Sequence, residues 1–188
     1  IAELIARDGL GSIVPDAAEV GRVLDLCTGS GCIAILAAEA FPNAEIHASD
    51  ISDDALAVAA RNIRDYGLDQ RVRTFKADLF DGLPGGSYDL IISNPPYVAA
   101  AEVEAFAPEY QAEPQLAHLG GVDGLDLVKR ILDGAGERLE ENGNLIVEIG
   151  TGQDALEAAR PDLPFLWLNA SDFKQKRGDQ GRRARKSS

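Results

Sequence analysis

Short runs rich in apolar residues recur along the chain, and stretches with helical spacing separate them. Residues 22–26 (Arg-Val-Leu-Asp-Leu) read as a first buried strand, followed by an alanine-rich helix over 32–40 that ends before Pro42. A second strand over 44–49 stops at Asp50. Ser52 is positioned to cap a helix running to Tyr66, with Gly67 as its stop. The third strand is 72–76. A loop containing Gly82, Pro84, Gly85 and Gly86 leads to the fourth, 88–93. A long irregular stretch then runs to about Gly121.

Leu125, Val128, Ile131, Leu132 and Leu139 fall on one stripe and predict a helix over 124–140, stopped by Gly143. A fifth strand over 144–149, a helix over 153–160 and a sixth strand over 164–168 complete the pattern. Strands that are apolar without alternating, with helices between them, imply an α/β fold. The sheet is expected to be doubly wound, mostly parallel and covered on both faces.

Composition changes this picture little: 188 residues with 45% hydrophobic and 26% charged side chains describe one ordinary globular domain. No apolar run approaches the roughly 20 residues of a bilayer span, and none has the form of a signal peptide. Cys27 and Cys32, close together in one turn, predict free thiols in a reducing cytoplasm rather than a disulfide or a zinc site. The chain opens on Ile1 without an initiator methionine, so the expectation is that sequence precedes it.

Charge is more informative. The net charge is -13, yet residues 174–188 hold seven basic side chains and one acid, which leaves about -19 on residues 1–173. Such a body repels a nucleic-acid backbone and attracts a basic partner. Nucleic acid is an expected partner only through the basic tail, whose composition predicts a solvated, disordered end.

Candidate chemistry lies where the strands run out, because ligands of open α/β sheets bind at the carboxyl edge near the reversal of strand order. After the first strand comes Asp25-Leu26-Cys27-Thr28-Gly29-Ser30-Gly31, in which Gly29 and Gly31 allow a tight turn and close backbone approach. With Ala34 the glycines also fit a dinucleotide fingerprint, so the loop alone does not choose a cofactor. Asp50, ending the second strand, can accept hydrogen bonds from both ribose hydroxyls of an adenosine; it also suits the start of the next helix. Asp78 ends the third strand, where it can hold an adenine amino group with Leu79 against the ring.

Asn94-Pro95-Pro96-Tyr97 decides between cofactors. A dinucleotide enzyme has no need of it, whereas methyl transfer to a planar NH2 group does. The Asn94 side-chain oxygen and the Pro95 carbonyl can each accept one N–H. Together they localise the nitrogen lone pair and aim it. The prolines restrict φ and fix that carbonyl, and Tyr97 can cover the flat face of the acceptor. The expected reaction is an in-line displacement at a sulfonium methyl, with positioning as the main catalytic contribution.

With these residues in hand, the chain resembles the class I S-adenosylmethionine-dependent methyltransferases, which have a Rossmann-like fold. More narrowly it is similar to the protein-glutamine methyltransferases that modify peptide release factors or a large-subunit ribosomal protein. The resemblance runs from Ile1 to about Leu168. It is carried by Asp25 to Ala34, by Asn94-Pro95-Pro96-Tyr97-Val98, and by Glu113-Pro114-Gln115-Leu116-Ala117 with Gly121-Val122-Asp123-Gly124-Leu125. The Asn-Pro-Pro-Tyr box is shared with adenine methyltransferases, and the later segments narrow it to the glutamine group. Within that group the Cys27 to Cys32 loop and residues 164–168 look more like the ribosomal-protein enzyme.

The resemblance implies S-adenosylmethionine as cofactor. It assigns cofactor contacts to Asp25, Cys27, Thr28, Gly29, Ser30, Gly31, Asp50, Leu79 and Asn94, and Asp78 joins them from its strand-end position. It also implies that Asn94, Pro95, Pro96 and Tyr97 bind the substrate glutamine. Two departures stand out. Against the family pattern, residues 1–188 are expected to lack the helical N-terminal domain and the seventh strand that completes the C-terminal antiparallel hairpin. The expected organisation is a methyltransferase domain over 1–173, cytoplasmic and monomeric, with a basic tail over 174–188. Release-factor glutamine and nucleic-acid adenine remain the alternative acceptors, and an inactive cofactor-binding module is a third reading.

Overall fold

A computed structural model describes residues 1–8, 10–11, 13–14, 16–96, 125–150 and 152–168. The chain divides into two compact units, Ile1–Gly152 and Gln153–Ser188. The first begins with α1 (Ala2–Asp8), β1 (Arg22–Leu26), α2 (Cys32–Ala40), β2 (Glu45–Asp50), α3 (Asp53–Asp65), β3 (Val72–Lys76) and β4 (Tyr88–Ser93). It ends with α4 (Asp126–Ala135) and β5 (Leu139–Val147). The five strands form one sheet in the order β3-β2-β1-β4-β5, every pair parallel. The doubly wound α/β expectation is borne out, and the order reverses between β1 and β4.

β1 is central because it can be buried on both sides. Val23, Leu24, Asp25 and Leu26 are all 0% exposed, which suits a parallel strand covered by helices on each face. Leu24 and Leu26 join Tyr88 and Ile91 in a cluster with Leu127, Ile131 and Ala135 of α4. Each fully buried Leu or Ile there contributes roughly 1.5–3 kcal/mol. Asp25 points the other way, as alternation requires, and meets the N-terminus of α2.

The helix ends follow from local chemistry. α2 stops before Pro42, and its last carbonyls are collected by one side chain: Arg71 donates to the carbonyls of Ala38 (2.6 Å), Phe41 (3.2 Å) and Pro42 (3.0 Å). α3 starts where Ser52 Oγ accepts from Ala55 N–H at 3.3 Å. It ends in a Schellman turn, with Gly67 at φ 68, Gly67 N–H donating to the Arg64 carbonyl and Leu68 N–H to that of Ile63.

Two expectations are corrected. The helix predicted over 124–140 spans only Asp126–Ala135, and Leu139 and Glu140 belong to β5. Strand pairing overrides the helical stripe: Tyr88 N–H donates to the Arg138 carbonyl at 2.8 Å, and Tyr88 is registered with Leu139. The register then slips between Tyr88 and Leu90, so that Leu90 faces Asn144. Gly143 is therefore no helix stop; it lies in the slipped segment, where a Cβ would come within 2.8 Å of the Tyr88 carbonyl.

The second correction concerns the other unit, which contains α5 (Gln153–Ala159). Residues 164–168 pair with no strand among the described residues. Their aromatic side chains are instead engaged locally, with Phe165 stacked on Trp167 at 5.3 Å and Trp167 Nε1 donating to Glu157 Oε1. Residues 169–188, including the basic tail, lie outside the described residues.

Candidate active site at the carboxyl edge of the sheet

β1 hands the chain to a loop whose backbone is left-handed at every second residue: Cys27 (φ 57), Gly29 (φ 54) and Gly31 (φ 81). Glycine bears this at two of the three positions without strain. At Cys27 the strain is real, and the side chain is drawn inward against the α4 cluster. Burial, and next the negative charge of Asp50, push the Cys27 thiol up to about 12, with a hydrogen bond to Ser93 opposing them. Cys27 is a neutral filler here, while Cys32 is exposed at the start of α2.

Asp25 organises the base of the loop. Its Oδ2 accepts from Thr28 Oγ1 at 2.5 Å and from Ala34 N–H at 3.0 Å. The second bond satisfies an orphan donor of α2, whose N-cap Gly31 has no side chain to do so. Asp25 Oδ1 is buried with no hydrogen-bond partner among the described residues. Desolvation dominates and raises this carboxyl to about 7, against the hydrogen bonds of Thr28 and Ala34, which lower it.

Asp50, one strand over, is aimed before any ligand arrives. Its Oδ2 accepts from Gly29 N–H at 2.9 Å and its Oδ1 from Ser52 N–H at 3.0 Å. Thr28 N–H also donates to the Ser49 carbonyl, fastening the loop to the end of β2. The end of β3 is tied in turn to β2, Ala77 N–H donating to the Asp50 carbonyl at 3.0 Å. Asp78 follows; its Oδ1 accepts from Arg130 of α4 at 2.9 Å. Leu79 (φ 54) is turned back into the apolar cluster and is 8% exposed.

On the other side of β1, Leu26 is registered with Ser93, and Ser93 Oγ donates to the Leu26 carbonyl at 2.9 Å. Cys27 and Asn94 are therefore the next residues of two neighbouring parallel strands, at the reversal of strand order. Asn94 is exposed, Pro95 buried and Pro96 half-buried. Tyr97, Glu113 and His118 lie outside the described residues. The structure thus brings together Asp25, the Gly loop, Asp50 and Asn94, with Asp78 and Leu79 further along the same edge.

Sequence reasoning passed over three neighbours. Ile51 is 48% exposed directly after Asp50; the available signal was an apolar residue beyond a strand end with no burial pattern to explain it. Ser93 looked like an ordinary strand residue. Asn62 of α3 donates to the Ser30 carbonyl at 2.8 Å, a contact invisible until α3 is laid across the loop. His47, by contrast, is structural: it is buried, 2.9 Å from the Tyr88 hydroxyl and packed on Phe75, and burial lowers its pKa.

Residues 10–110, more than half of the chain, match the family model described as methyltransferase small domain. The chain belongs to the methyltransferase small domain family. Proteins similar to this methyltransferase domain include the ribosomal protein uL3 glutamine methyltransferase of Bradyrhizobium diazoefficiens. It is 56% identical over 162 residues, covering 86% of this chain and 51% of that protein. The Bordetella pertussis protein of the same name is 51% identical, covering 92% and 57%. The chain spans about half the length of these relatives. Among solved structures, a methyltransferase from Pyrococcus furiosus superposes with a TM-score of 0.58 at 20% identity, covering 79% of this chain and 65% of that one. That likeness is one of fold, and it agrees with a class I, Rossmann-like methyltransferase domain.

Proposed function

We propose that this methyltransferase domain transfers a methyl group from S-adenosylmethionine to the side-chain amide nitrogen of a glutamine in a large-subunit ribosomal protein. The observation that carries the reading is the register of β1 with β4. It sets Asn94-Pro95-Pro96 beside the Gly loop at the reversal of strand order. The naming of relatives at 51–56% identity supports the acceptor.

The residues fit the cofactor in three respects. Asp50 offers two oxygens already oriented by N–H donors, suited to a pair of ribose hydroxyls. The Gly loop presents backbone with no described side chain in the way: a Cβ on Gly29 would meet nothing among the described residues within 4 Å. Asp25, with a buried unpartnered oxygen, provides a site for a hydrogen-bond donor or cation nearby. In this reading Thr28 and Ser30 complete the loop, Cys27 fills space beneath it, and Ile51, Asp78 and Leu79 line the base site. When bound, S-adenosylmethionine supplies a methyl group on a positively charged sulfur, an electrophile for a nitrogen lone pair.

The work of the protein is then positional. Asn94 Oδ1 and the Pro95 carbonyl accept the two amide hydrogens of the glutamine and turn its lone pair out of conjugation. Pro95 and Pro96 hold that carbonyl still, and Tyr97 covers the amide plane. The proton lost from nitrogen leaves after transfer, so no general base has to act first. We place this catalytic domain over residues 1–173, in the cytoplasm and as a monomer, with 174–188 outside it. Among the described residues, no helix is long and apolar enough to cross a membrane.

The test is to incubate the protein and labelled S-adenosylmethionine with separated large-subunit proteins, release factors and nucleic acid. Label is expected on a glutamine of one large-subunit protein. Label confined to release factors would move the acceptor, and label confined to nucleic acid would overturn the glutamine reading. Asn94→Ala is expected to lower transfer by about 100-fold or more while leaving the Gly-loop contacts to the cofactor intact.

A further inference from the structure

The peptide units of the Gly loop are held unequally. The Thr28–Gly29 unit is fixed at both ends: Gly29 N–H donates to Asp50 Oδ2 and the Thr28 carbonyl accepts from Gly31 N–H, each at 2.9 Å. The Ser30–Gly31 unit is also fixed at both ends. Its N–H is the one given to Thr28, and its carbonyl accepts from Asn62 Nδ2 at 2.8 Å. Between them, the Gly29–Ser30 unit makes no hydrogen bond within the described residues. One peptide is thus left to meet a ligand, and its two neighbours set its direction.

Asn62 makes the one of these holds that comes from outside the sheet edge. It lies on α3 one turn beyond Ala59, and Ala59 itself is seated against Gly31: a Cβ on Gly31 would lie 3.2 Å from the Ala59 Cβ. α3 is anchored independently by the Ser52 cap, the Gly67 turn and the buried Ala59 and Ile63. Asn62 therefore has little to do for the helix. Without its donor the Ser30 carbonyl is free to swing, because Gly31 imposes no side-chain barrier.

We propose that Asn62 is a positioning residue for the cofactor loop, holding the Ser30–Gly31 peptide so that the Gly29–Ser30 peptide is preorganised for S-adenosylmethionine. This rests on the reading above that the Gly loop holds that cofactor. The test is a calorimetric titration of S-adenosylmethionine into the unmodified protein, Asn62→Ala and Asn62→Asp, with the ligand-free thermal midpoint of each.

Asn62→Asp keeps the shape but exchanges the donor for a carboxylate oxygen and adds a negative charge, so the loss that reports the donor is the one it shares with the neutral Asn62→Ala. Both variants are expected to bind about five- to tenfold more weakly, the loss of one good hydrogen bond, with midpoints within about 2 °C of the unmodified protein. Affinities within twofold of the unmodified protein would overturn the proposal and leave the pocket standing. Losses that track a falling midpoint would reduce Asn62 to a structural role and overturn it too. Absence of binding by the unmodified protein would overturn the pocket and the proposal together.

Discussion

Asp25 carries the sharpest residue-scale consequence. Its ordinary pKa is 3.8 and its folded value about 7, raised mainly by burial. Between those values the folded state holds a proton that the unfolded chain has released. This group's contribution is therefore most favourable at low pH, declines as pH rises from about 4 to about 7, and is level above that. Asp25→Asn is expected to remove that decline and to raise stability at pH 8 by at most about 4 kcal/mol. Urea unfolding of both proteins between pH 5 and 8 measures it, and parallel pH profiles would refute it. Gly31 makes the second residue-scale case. At φ 81, with Ala59 so close, Gly31→Ala is expected to cost about 1–2 kcal/mol, read in the same unfolding assay.

At the scale of elements, one guanidinium closes α2. Arg71 reaches from the turn before β3 to three carbonyls at the end of the helix. Arg71→Lys keeps the charge but not the fork that spans them, so both Arg71→Lys and Arg71→Ala are expected to lose about 1–3 kcal/mol. A lysine variant as stable as the unmodified protein would show that charge alone suffices. The same scale explains what the sequence concealed about α4 and β5. The stripe from Leu125 to Leu139 fits a helix, but Leu139 lands opposite Tyr88, and a ladder bond to a neighbouring strand outweighs one more turn of helix. Periodicity registers which residues are apolar and carries no information about which partner they find.

For the whole molecule the decisive quantities are strand order and charge. Residues 1–173 carry about -19, a field suited to gathering the basic ribosomal protein proposed above as substrate. The apparent KM for such a substrate is expected to rise by about tenfold between low salt and about 0.5 M salt. Affinity for S-adenosylmethionine, the proposed cofactor, is expected to change far less, because the contacts proposed for it are at hydrogen-bond range. A substrate KM indifferent to salt would remove steering from the account. Strand order does the other work. Cys27 and Asn94 are 67 positions apart by their numbering, yet become neighbours because β4 returns to the free side of β1.

The sequence by itself determined the strands from Arg22 to Ser93, the helix stops at Pro42 and Gly67, the Gly loop, and the strand-end positions of Asp50 and Asn94. Each of these is set by residues within a few positions of one another: an apolar run, a cap, a glycine that tolerates positive φ. Only the tertiary structure decided that Asp25 anchors α2 with one oxygen and leaves the other unmet among the described residues. It also decided that Arg71 caps a helix about thirty residues away, that Leu139 pairs with Tyr88, and that Asn62 lies on the Ser30 carbonyl. Those contacts depend on where a second element is laid down. Chain connectivity and packing set that placement, and no local pattern encodes it.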